Sequence, residues 1–346
     1  MEKRILLWMA LMALFMGKAS AATFTVDDFE IAANETKEIS INLTNTETIY
    51  GYVLWLQLPE GITIESDEYG AIVSPTSRFN NAPQINFSQG YYKITAATGG
   101  RPVSGNSGAI LTFNITASDQ ISTGSQSMEI AHQQITVNNE QGNAVTVDQE
   151  SSTYTCTTRV DAKIAASGYG SFSWPRALDF SACEGLEKVF IGGEDANGKL
   201  SLVEVASKQV PAATGVVLKG TTGVVNPSTM EAEPAGDQGT LTPTCTGTYE
   251  VTADNTIYVL KTGGKGTGFY PCQTGVVVPQ YKVYLERDAS QGANMISMEE
   301  EGTTSIDGVA ATDSATEAVY TVSGVRVAKP TRKGIYVSEG KKVVIK

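Results

Sequence analysis

The 346-residue chain predicts an all-β protein: a β-sandwich, then a second β-rich domain and a small C-terminal β domain. Three observations carry this expectation. Apolar and polar residues alternate with the period of two that half-buried strands require. Turn-forming clusters interrupt those runs, as at Pro59-Glu60-Gly61, Gln89-Gly90 and Asn139 to Asn143. No stretch sustains helical spacing, and several short strands in about 125 residues make a sandwich the default.

Residues 1–21 read as a secretory signal. Glu2-Lys3-Arg4 opens it, Ile5 to Met16 is apolar, and Ala19-Ser20-Ala21 is a small-residue cleavage site. The apolar run is too short to span a bilayer, and no later segment approaches the ~20 apolar residues a spanning helix needs. The expected address is therefore extracellular or on the outer-membrane surface, with the periplasm as the other exported compartment.

The sandwich is placed at 22–150. "EISINLT" puts Ile39, Ile41 and Leu43 on one face, and "YGYVLWLQL" puts Tyr52, Leu54, Leu56 and Leu58 opposite Val53, Trp55 and Gln57. In "AILTFNIT", Leu111, Phe113 and Ile115 share a face. The second domain is placed at 157–300, where "VPAATGVVLKG" reads as a buried strand, "TIYVLKTGGKGTGFYP" as a hairpin, and "VVVPQYKVYLE" as one more alternating strand. From 288 the chain turns small, polar and acidic, with the linker at 301–316, and alternation resumes over 317–346.

Charge narrows the function classes. The chain carries 25 basic and 37 acidic residues, and residues 22–150 hold 4 and 15 of these. Non-specific nucleic-acid binding is disfavoured, because phosphates must be met by a basic surface. The charge is uneven, however: residues 317–346 carry 7 basic and 2 acidic residues.

Four cysteines, Cys156, Cys183, Cys245 and Cys272, in an exported chain predict two disulfides. Three pairings remain open, and Cys156–Cys183 with Cys245–Cys272 close the shortest loops. No two cysteines lie nearer than 27 residues, which argues against the close pairs of a zinc site.

Residues 23–148 resemble the cohesin-type sandwich, whose relatives include bacterial carbohydrate-binding modules. The likeness lies in "AANETKEISINLTNTETIYGYVLWLQLPEGITI" and in "YYKITAATGGRPVSGNSGAILTFNIT", with Gly105 and Gly108 in the loop. Cohesins that bind dockerins present small polar residues where this strand offers Gly51, Val53, Trp55 and Gln57. Residues 157–300 resemble a domain recurrent in secreted proteins of the Bacteroides and Prevotella group, whose relatives usually lack the cysteines. The tail resembles the C-terminal sorting domain of the type IX secretion system, in Val319-Tyr320, Gly324, "GIYV" at Gly334 to Val337, and the terminal "KKVVIK". That likeness implies secretion machinery as a partner.

Catalytic readings find little footing. A Ser-His-Asp site would have to use His132, the one histidine, and "GNSGA" lacks the strand-to-helix context that activates a serine. Cysteine catalysis would need the same histidine. Glycoside hydrolysis needs two carboxylates across a cleft, which a small sandwich without long inserted loops seldom builds. No cofactor is expected beyond a structural calcium ion. Asp195-Ala196-Asn197-Gly198 begins like a calcium loop, but Ala206 stands where a bidentate Glu is required, and a hairpin turn explains "EDANGK". Asp27, Asp28 and Glu30 form the other acidic group.

Aromatic residues carry the leading reading. Trp55 points outward beside Val53 and Gln57, and one of Tyr91 and Tyr92 must also face out. Rings flanked by amides suit stacking on pyranose sugars. The sequence thus predicts a non-catalytic surface protein binding polysaccharide through Val53, Trp55, Gln57, Tyr91 and Tyr92. The alternative is a protein-interaction or adhesion module assembling surface complexes; an accessory to glycan degradation comes third.

Overall fold

A computed structural model describes residues 22–301, apart from 80, 140, 197, 198, 289 and 291, together with 319–321, 326–327, 334–338 and 341–345. The expected signal lies outside the described residues, as does the linker beyond Glu301. Every regular element described is a strand, as the alternation predicts.

Two sheets face each other in the first half. One runs in the order Ala22–Thr25, Thr36–Asn45, Ala109–Ala117, Ile62–Ile64, with Ser74–Pro75 also pairing to the third. The other runs Phe29–Ala32, Ser152–Arg159, Gly124–Asn138, Ile49–Gln57, Tyr91–Ala97, Gln84–Ser88, with Ala144–Gln149 pairing beside Gly124–Asn138. Ile39, Ile41, Leu43, Tyr52, Leu54, Leu56, Leu111, Phe113 and Ile115 all enter the core between them. Leu58 is only half-buried, because the strand has ended at Gln57. The sandwich also runs past 150. Ser152–Arg159 pairs with Gly124–Asn138 on one side and, in parallel, with Phe29–Ala32 on the other.

The second half builds a nine-stranded sheet. Its order is Tyr169–Ser173, Gly215–Gly220, Leu186–Ala196, Lys199–Glu204, Ile296–Glu300, Gly266–Pro271, Ile257–Gly263, Val283–Glu286, Thr242–Pro243. The expected buried strand and glycine-tipped hairpin form, and in the "EDANGK" stretch the flanking strands Leu186–Ala196 and Lys199–Glu204 pair antiparallel as far as Ala196 and Lys199. Asn197 and Gly198 themselves lie outside the described residues.

Two expectations change here. "VVVPQYKVYLE" divides into Val277–Val278 and Val283–Glu286, because Pro279 cannot donate within a ladder and Tyr281 adopts a left-handed φ of 62°. Ile296–Glu300, in the acidic stretch of linker composition, is a central strand. It lies parallel to Lys199–Glu204 and antiparallel to Gly266–Pro271. Its Glu300 is neutralised from further along the sheet, by Lys219 of Gly215–Gly220 at 2.5 Å and by Lys188 of Leu186–Ala196 at 3.1 Å.

The two halves meet through specific bonds. Thr123 and Thr229 exchange backbone-to-hydroxyl hydrogen bonds at 2.9 and 2.8 Å. Arg176 donates to the carbonyls of Gln120 and Ile121, and Tyr281 donates to Asp119 at 3.1 Å. Residues 302–346 form a separate compact unit. Its described strands are antiparallel, in the order Arg326–Val327, Val319–Thr321, Gly334–Ser338, Lys341–Ile345.

The cysteine expectation is corrected. All four are free thiols, in place of two disulfides. Cys156 belongs to the sandwich core, Cys183 packs against the first core of the second half, and Cys272 lies in a small cluster with Val251, Ile257, Val278 and Tyr284. Each is placed as a small hydrophobe fills a core. Burial pushes the Cys156 thiol up to about 11.

Candidate functional site

The outer face of the second sandwich sheet gathers the predicted residues. Val53 and Trp55 are half-buried there and Gln57 is exposed, so the expected parity of that strand holds. On one side Trp55 is paired with Lys93, and on the other with His132. Direct cross-strand pairs place side chains in contact range. Lys93 Nζ stands 4.3 Å from the Trp55 ring centroid, the His132 ring lies at 4.9 Å, and Tyr91, diagonal to it, lies at 6.0 Å.

Tyr91 and Tyr92 separate as alternation demands. Tyr91 joins Trp55, while Tyr92 turns into the core, where its hydroxyl accepts the Ile64 N–H at 3.1 Å. Tyr92 is therefore removed from the outer face. On the neighbouring edge strand its partner Phe87, at 4.7 Å between rings, remains 60% exposed.

Two members of the cluster escaped the sequence reading. Lys93 was legible in principle, being two residues from Tyr91 on the same strand and so on the same face. His132 was not. The ladder pairs Ile130 with Leu56 and then His132 with Trp55, so Ala131 is an extra residue. Such a bulge shifts the parity of everything that follows. It leaves Ile130 and Gln133 both inside and turns His132 outward against Trp55. Gln133, 2% exposed, is satisfied by Ser152 Oγ at 2.7 Å. Further along, Gln134 opposes Val53 and donates to Asp148 at 2.6 Å.

The arrangement can offer apolar ring surface, one cation, an imidazole and amides on an open sheet face. The acidic groups singled out in the sequence serve other ends. Asp28 accepts the Thr155 N–H at 2.9 Å, and Glu30 lies 3.5 Å from Arg159. Among the described residues, no three His, Cys, Asp or Glu side chains converge as a metal site would require. No described helix is long and apolar enough to cross a membrane.

No family model matches the chain, and no curated protein does. Solved structures similar to it are cohesin modules. One, from a family 33 glycoside hydrolase of Clostridium perfringens, is 17% identical over 41% of this chain and 97% of its own, with a TM-score of 0.32. The seventh ScaB type I cohesin of Pseudobacteroides cellulosolvens is 10% identical over 41% and 95%, with a TM-score of 0.34. A type I cohesin–dockerin complex of Clostridium thermocellum matches at 11% identity over 41% and 98%, with a TM-score of 0.32.

Proposed function

We propose that this is a non-catalytic, exported binding protein whose sandwich engages a protein partner through the sheet face centred on Trp55. One observation carries the choice of a protein over a polysaccharide. The Lys93 ammonium lies over the Trp55 ring at 4.3 Å, and His132 and Tyr91 crowd the same ring. Stacking on a pyranose needs an open aromatic face, and this ring is already engaged. A half-buried tryptophan flanked by a cation, an imidazole and amides on an open sheet is instead the kind of anchor that concentrates energy in protein interfaces. Residues 302–346 form their own compact unit, which agrees with a separable sorting segment read by secretion machinery.

The test places a photo-crosslinking amino acid at exposed position 57 of the full chain, displayed in a native host, with a glycan array run in parallel. A discrete protein adduct that disappears in Trp55→Ala, with a blank array, supports the reading. Saturable polysaccharide binding lost in Trp55→Ala, without an adduct, returns the site to sugar recognition.

A further inference from the structure

The nine-stranded sheet curls until its first strand approaches its eighth. Across that seam Ser173 donates its N–H to the Tyr281 carbonyl at 3.1 Å and its hydroxyl to the Lys282 carbonyl at 2.8 Å. Below these bonds the seam opens into a cavity of about 320 Å³, the size range of small-molecule sites. Gly170 shapes one wall. A Cβ there would fall 2.1 Å from the Lys163 carbonyl oxygen, so only glycine lets the Ala162–Ile164 strand cross so closely. Val259, Leu260 and Val283 supply apolar lining, and Val276 and Val277, 42% and 52% exposed, stand at the mouth.

The charge of this cavity runs against that of the protein. Lys163, Lys261 and Lys282 line it and no carboxylate does, in a chain with 37 acidic and 25 basic residues. Lys261 lies over the Tyr270 ring at 5.2 Å. Lys282 is half-buried, and its ammonium donates to the Ser171 carbonyl at 3.4 Å. Among the described residues, neither Lys282 nor Lys163 has a carboxylate within ion-pairing distance, although Lys188, Lys199 and Lys219 each have one. Burial, and then the nearby Lys163, lower the Lys282 pKa. An unpaired, partly desolvated ammonium beside a second one is costly to fold around. An arriving anion would relieve that cost, and the valine and leucine walls would bury an apolar body.

We propose that this seam cavity binds a small amphipathic carboxylate, its apolar body against the valine wall and its carboxylate met by Lys163 and Lys282.

The test titrates the full chain by calorimetry with decanoate, decanol and decyltrimethylammonium, which share a tail and differ in head group. Decanoate should bind at a single saturable site, about tenfold or more tighter than decanol, with no binding of the cation. Lys282→Met and Lys163→Gln should each weaken decanoate by about tenfold without lowering the melting temperature. Because Lys163 is exposed, its variant keeps the test sound should Lys282→Met fold poorly; Val277→Asp at the exposed mouth should also abolish binding. Equal affinity for decanoate and decanol, non-saturable uptake, or decanoate binding unaltered in Lys163→Gln would overturn the proposal.

Discussion

The Nζ of Lys93 stands 4.3 Å from the ring centroid of Trp55, its direct cross-strand partner. Such a contact at a partly exposed site stabilises by about 0.5–1 kcal/mol. Lys93→Ala should therefore lower stability by about that amount and open the ring to solvent. Acrylamide quenching of tryptophan fluorescence in protein lacking residues 1–21 reads this directly, because Trp8 is then absent and Trp174, 4% exposed, contributes little. Unchanged quenching would show that the lysine does not cover the ring.

Trp55 is half-buried, so its removal should cost less than loss of a core ring. Trp55→Ala is expected to destabilise by ~1–2 kcal/mol, against ~3–5 kcal/mol for Phe113→Ala in the same sandwich. Urea unfolding of both variants makes the comparison. Equal losses would place Trp55 in the core and remove it from any binding face.

Tyr52 is buried with no hydrogen-bond partner for its hydroxyl among the described residues, and its ring packs between Phe24 at 5.8 Å and Phe79 at 5.0 Å. An unsatisfied buried hydroxyl costs about 1–3 kcal/mol, whereas the ring contributes through packing. Tyr52→Phe should thus be neutral or stabilising, by up to about 1 kcal/mol, in thermal or urea melts. A clear loss of stability would mean the hydroxyl is hydrogen-bonded in solution.

Glu300 should govern part of the acid sensitivity. The Lys219 hydrogen bond first, and that of Lys188 after it, hold its pKa below the ordinary 4.5. A carboxylate depressed in the folded state contributes stability that is complete above its unfolded pKa. That contribution is lost as pH falls from about 4.5 through the folded value. Glu300→Gln should lower stability at neutral pH and flatten the decline below that point. Urea midpoints measured across the acid range would show the two curves converging; parallel curves would exclude the mechanism.

Thiol titration checks the cysteines. The unreduced protein, unfolded in guanidinium, should titrate four thiols, and the native protein should react slowly, since burial raises all four pKa values. Fewer than four thiols in the unfolded chain would restore a disulfide.

Deletion of residues 303–346 tests the proposed sorting role. The remaining chain should melt as the full protein does and fail to be retained at the cell surface of the native host. Normal surface display of the truncated chain would reject the sorting reading.

The sequence by itself determined which residues face inward. Ile39, Ile41 and Leu43, or Tyr52, Leu54 and Leu56, alternate because a strand sends successive side chains to opposite faces, a property local to each run. Turn residues marked the hairpins for the same local reason. Tertiary structure decided what no single run encodes: which strands pair, in what register, and where a ladder is interrupted. The extra residue Ala131 turned His132 toward Trp55. Pairing on both sides made the acidic segment Ile296–Glu300 a central strand. The break at Pro279 to Lys282 and the curl of the sheet brought Lys282 and Lys163, 119 positions apart, to one cavity. Cys156 went to one core and Cys272 to another. These outcomes depend on contacts between residues far apart in the chain, whose energies exist only once the sheets have closed on one another.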